Sequence, residues 1–127
     1  MSQLVNNIKY KSTFTGFKLN EDYIIKVDFG ITKPIIHKYF SYINGILTIR
    51  KGYWWNGVTC WFTTKSSLEA SLVHDTFYQM MELRLLPLHY KLRFDNYYEW
   101  MLIQNGAWEW YARLSSFVLY RIKVKVI

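Results

Sequence analysis

The fold turns on the reading of one stretch, "SLEASLVHDTFYQMM" (residues 67–81), an apolar run interrupted by an imidazole, a carboxylate and a phenol. Its apolar positions recur at helical spacing. Ser66, Ser67, Leu68 and Glu69 before it fit a capping box, in which the serine hydroxyl and the glutamate carboxylate each satisfy a free backbone N–H. The expected helix runs over about residues 67–83. Residues four apart share a helix face, so His74 and Tyr78 are neighbours, while Asp75 is turned about 100° from His74.

Downstream, "RLLPLHY" carries Pro87, which lacks an N–H and biases its predecessor away from helical geometry, so the first helix breaks here. A second helix is expected over residues 90–105, stopped at Asn105-Gly106, and a third over 107–120. Short connections make the first two antiparallel neighbours. Asp95 in "RFDNYYEW" then comes within an axial offset of roughly 6 Å of His74, at about 1.5 Å rise per residue. An aspartate on the imidazole would fix its tautomer and stabilise its cation. A His and an Asp on facing helices more often form a structural hydrogen bond that locks the two helices than a catalytic dyad.

Upstream of residue 64 the character is that of strands. "DYIIKVDF" (22–29) and "GILTIR" (45–50) are β-branched and bounded by turn formers, and Asn44-Gly45 marks a tight turn between "HKYFSYI" and "ILTIR". The closing "RIKVKVI" alternates strictly, which predicts a basic strand over 121–127 with Arg121, Lys123 and Lys125 on one face. The fold class expected is α+β: N-terminal antiparallel β hairpins (1–63) packed on a C-terminal three-helix portion (64–120), as a single domain.

Composition bounds the function. The 127 residues suit one domain with a real core, and 51% hydrophobic and 20% aromatic content with six glycines and two prolines excludes disorder. The lone Cys60 excludes a disulfide framework and a Cys-rich zinc site. A zinc set of His74, Asp75, His89 and Cys60 follows no recognised ligand spacing, and a Cys60–His74 nucleophile pair has no supporting local pattern. No stretch reads as a signal peptide, and none approaches the ~18 uninterrupted apolar residues of a membrane span. Sixteen Lys and Arg against nine Asp and Glu give +7, an attraction toward phosphate, anionic lipid or an acidic protein face. The charges are scattered, which speaks against a specific nucleic-acid ligand. Trp54 and Trp55 are adjacent and must point to opposite sides of an extended chain, leaving one at the surface.

The order "KGYWWNGVT" (51–59), "TKSSLEASLVHDTFYQMM" (64–81), an "LLP" break, "RFDNYYEWMLIQNG" (93–106) and a closing helix resembles a family of small phage and prophage proteins of unknown function. Its members carry a Gly-Tyr-x-Trp-Asp-Gly turn, a Val-His-Asp-x-x-Tyr helix and an Ala-Asp-x-x-Phe helix. The resemblance spans residues 22–120 and departs at Asn56, where the turn has Asp, and at Phe94, where Ala precedes the second-helix Asp. It implies a phage protein in the virion or the infected host cytoplasm, with virion proteins or a host protein as partner.

"HDTFY" (74–78) also resembles, more distantly, the His-Asp-x-Cys-Tyr helix of secreted phospholipase A2, with Phe77 at the disulfide cysteine. That resemblance implies His74 as the base that activates water, Tyr78 and Asp95 as its orienting pair, and Asp75 as a Ca²⁺ ligand. Carbonyls of "YWWNGVTC", Gly57 among them, would complete the metal site. Two functions therefore stand open: a non-enzymatic virion component or host-interaction factor, and a Ca²⁺-dependent ester hydrolase.

Overall fold

A computed structural model describes the backbone of residues 3–4, 8–56 and 65–126 and the side chains of residues 8–56 and 67–126. Antiparallel strands come first and three helices follow, an α+β arrangement whose residues fall into two compact units divided after Asn56.

The first unit holds β1 (Gln3–Leu4), β2 (Tyr10–Ser12), β3 (Phe17–Leu19), β4 (Tyr23–Lys26), β5 (Ile35–Ile36), β6 (Phe40–Ile43), β7 (Ile46–Ile49) and β8 (Trp54–Trp55). Five of them form one sheet in the order β1-β4-β7-β6-β5, and β2-β3-β8 form another. The β6–β7 hairpin turns at Asn44-Gly45, as expected. Both residues have positive φ, 52° and 77°, the twist that lets a two-residue turn match its flanking strands.

Register sorts the side chains by face. Tyr23 pairs with Ile49, which pairs with Phe40; Ile25 pairs with Leu47, which pairs with Tyr42. All six are buried, whereas Lys26, Ile43 and Ile46 on the alternate positions are exposed. Inside this apolar face the Tyr42 hydroxyl donates to the Val27 carbonyl at 2.6 Å and accepts from Phe29 N–H at 3.1 Å, so burying the phenol leaves no polar group unsatisfied.

Leu19 at the end of β3 is tied to the segment that leads into β8: its N–H donates to the Tyr53 carbonyl and its own carbonyl accepts from Gly52 N–H. Adjacent Trp54 and Trp55 divide as expected, the first half exposed and the second buried. At Gly16 a Cβ would lie 2.3 Å from the Trp55 carbonyl oxygen, so only glycine lets the β2–β3 turn approach β8 this closely.

The second unit holds α1 (Lys65–Glu82), a 3-10 turn (Leu88–Tyr90), α2 (Lys91–Gln104) and α3 (Glu109–Arg121). α2 packs against both α1 and α3. It buries Phe94, Asp95, Tyr98, Met101 and Leu102, a stripe at helical spacing, and Phe94 stacks on Phe77 of α1 at 4.6 Å between centroids.

Both α1 and α2 end in the same Schellman motif. After α2, Gly106 at φ 93° donates to Ile103 and Ala107 to Leu102; after α1, Arg84 at φ 62° donates to Met81 and Leu85 to Met80. The first helix is thus closed by its own backbone before Pro87, which instead opens the 3-10 turn with extended geometry.

Two expectations are corrected. The helix start is earlier than expected: α1 already includes Lys65, Ser67 lies inside it, the Ser66 side chain of the expected capping box lies outside the described residues, and Glu69 accepts a bond from Asn105 Nδ2 at 2.8 Å. The basic terminal strand is also absent, because α3 runs on to Arg121 and residues 122–126 pair with no strand among the described residues. The predicted alternation survives without a ladder as far as Lys125: Ile122 leaves α3 in extended backbone, Ile122 and Val124 are half-buried, and Lys123 and Lys125 are exposed, but Val126 is exposed as well.

Candidate functional site: a His–Asp–Tyr–Lys network among three helices

The helical repeat stacks His74 and Tyr78 on one side of α1, with ring centroids 4.0 Å apart. On α2 the same repeat places Lys91 one turn before Asp95. Packing α1 on α2 closes the pair: His74 Nε2 lies 2.7 Å from Asp95 Oδ1. Tyr78 donates to that same oxygen at 2.5 Å, and Lys91 Nζ donates to Asp95 Oδ2 at 2.7 Å. Lys91 also donates to the Leu119 carbonyl at 2.8 Å, near the C-terminus of α3 where the helix dipole favours a cation. One carboxylate therefore ties α1 to α2, and through Lys91 to α3.

The imidazole and the carboxylate are buried, while Tyr78 and Lys91 are half-buried at the edge of the network. His74 is 5% exposed and Asp95 2%, and the edge of Tyr98 closes on the imidazole at 5.1 Å. Asp75 lies outward, with 29% of its side chain exposed and its Oδ1 4.0 Å from His74 Nδ1, a charge contact too long for a hydrogen bond.

Charge in this pocket is mutually supported. Burial opposes protonation of His74 more than any other single effect, yet Asp75 and Asp95 together outweigh it and raise its pKa above 6.5. Burial alone would raise Asp95, but the bonds from His74, Lys91 and Tyr78 lower it beneath 3.8. Burial, then the Asp95 bond, pushes the Tyr78 phenol far up, so it stays a donor. Burial also raises Asp75, against the pull of His74.

All four helix residues singled out in the sequence, His74, Asp75, Tyr78 and Asp95, thus gather in one place. Gly57, Cys60 and the loop proposed to supply carbonyls lie outside the described residues. His89 is exposed in the 3-10 turn, stacked on Tyr90. Lys91 was missed by sequence reading, although its spacing of four from Asp95 is the signal of a helical ion pair.

No protein-family model, characterised protein or solved structure matches this chain. Ca²⁺ takes roughly six to eight oxygen ligands. Among the described residues no group of three or more His, Cys, Asp or Glu could hold a metal ion, and Asp95 has both oxygens engaged by protein donors. Asp75, the carboxylate that the phospholipase resemblance assigns to calcium, is 29% exposed, and the carbonyls that would join it lie outside the described residues. What the arrangement does provide is a buried imidazole and a half-buried ammonium sharing one buried carboxylate, a bond set that links three helices.

Proposed function

We propose that this chain is a non-enzymatic phage protein, a virion component or a host-interaction factor, in which the His74–Asp95–Tyr78–Lys91 network holds the helical unit in one register. The observation that carries the reading is the engagement of both Asp95 oxygens within a site where His74 is 5% exposed. A general base has to meet water and substrate, whereas a structural lock gains from exclusion of both. The phage context rests on the resemblance over residues 22–120, and it implies partners within the virion or the infected host cytoplasm.

The hydrolase is the second reading, favoured by one detail. Asp95 engages Nε2 of His74 and leaves Nδ1 facing the half-exposed Asp75, a geometry in which Nδ1 could accept a proton once deprotonated.

His74→Gln separates the two. As a lock, the variant loses about 1–3 kcal/mol of unfolding free energy, and ester hydrolysis assayed with and without Ca²⁺ does not distinguish it from the wild type. A wild-type esterase activity abolished by the substitution, at nearly unchanged stability, would replace the lock with the hydrolase.

A further inference from the structure

Helix α3 shows solvent a face as unusual as the one it buries. Tyr111, Ala112, Ser115 and Leu119 form its buried stripe. At about 100° per residue, Trp110, Arg113, Phe117, Tyr120 and Arg121 fall together on the opposite side. Trp110 is 57% exposed, Phe117 55% and Tyr120 72%, and Trp108 at the N-cap is 71% exposed and stacked on Trp110 at 5.8 Å. Single exposed apolar residues are ordinary on a protein surface, but four large rings along one helix form a patch that calls for a partner.

The charge on this face names the partner's chemistry. From residue 109 onward, Arg113, Arg121, Lys123 and Lys125 stand against one acid, Glu109, and that acid is already paired with Arg113. Arg121 lies over the Phe117 ring at 4.9 Å, and Lys123 and Lys125 extend the exposed cations past the helix end. Trp and Tyr rings with polar tips, interleaved with Arg and Lys, match the headgroup level of a bilayer. There the rings enter the acyl boundary and the cations meet lipid phosphates. Protein interfaces also favour Trp, Tyr and Arg, but they are depleted in lysine. No helix among the described residues is long and apolar enough to cross a membrane, so the contact would lie along the surface.

We infer that the outer face of α3, with the Lys123–Lys125 tail, docks the protein peripherally on an anionic lipid bilayer. The inference stands apart from the function proposed above, since it holds for a lock or a hydrolase alike.

The test is flotation of the full chain with vesicles of phosphatidylcholine alone and of an equimolar mixture with phosphatidylglycerol, at low and at physiological salt. The expected result is binding to the anionic vesicles only, weakening as salt rises. Neutralising Arg113, Arg121, Lys123 and Lys125 to Gln costs about fivefold per charge, and Trp108→Ser with Trp110→Ser costs at least about tenfold. Ile36→Thr, which removes an isoleucine 75% exposed on the first unit, leaves binding unchanged. Should the Trp variant fail to fold, the charge variant carries the test alone. Equal binding to neutral vesicles, no binding, or wild-type binding by the charge variant would overturn the inference. So would tighter binding to a single-stranded oligonucleotide than to vesicles, or self-association in their absence lost with the same tryptophans.

Discussion

Asp95 accepts three bonds while 2% exposed, and the consequence for stability depends on which protons are present. His74 has its pKa raised above 6.5, so the folded state holds that proton more tightly than the unfolded chain does. Its contribution is complete below pH 6.5 and is lost as the pH climbs through the folded value. Asp95, lowered beneath 3.8, contributes above that pH and loses its contribution as acid takes the pH down through its folded value. Asp75 runs the other way: its raised pKa favours the neutral acid in the fold, so its ionised form costs stability that acidification restores. Urea unfolding across pH is expected to show stability falling on the alkaline side of 6.5 in the wild type, and the His74→Gln variant to lose that decline. The two helix-borne halves of this cluster were legible in the sequence because helical periodicity is local. The bond from Lys91 to the Leu119 carbonyl was not, since a main-chain acceptor on a distant helix has no signature in residue type.

At the scale of elements, the stops were more legible than the starts. Asn44-Gly45 and Asn105-Gly106 announce positive φ because glycine, and to a lesser degree asparagine, tolerate it. Arg84 occupies the same left-handed position after α1 that Gly106 occupies after α2, and no rule of residue type would have found it. Matched substitutions are expected to act oppositely: Arg84→Gly raises unfolding free energy by about 0.5–1 kcal/mol, whereas Gly106→Ala lowers it by about 1 kcal/mol. Chemical denaturation of the two variants measures both. The start of α1 was misplaced for a related reason, because Ser67 is buried within a helix that begins before it, and a serine–glutamate spacing looks the same inside a helix as at its end. The alternation of "RIKVKVI" separates exposed cations from half-buried apolar residues over 121–125 and not at the exposed Val126, and alternation sorts faces without supplying a neighbouring strand to pair with.

For the molecule as a whole, the strand-then-helix order was readable from residue type, because β-branched pairs flanked by turns and long helical runs each leave their own period. The surface was less so. A net charge of +7 predicts an anionic partner without locating it, and only the helical projection of α3 shows where aromatic rings and cations coincide. The lock in the helical unit is the claim from which the functional reading follows. Its most direct measurement is a double-mutant cycle by denaturant unfolding, with His74→Gln, Asp95→Asn and the pair. Asp95→Asn alone is expected to cost about 3–5 kcal/mol, because Lys91 and the imidazolium lose their buried counter-charge. The double variant is expected to cost at least about 1 kcal/mol less than the two single losses combined. Losses that add to within about 0.5 kcal/mol would show that the imidazole and the carboxylate act independently, and the lock would be contradicted.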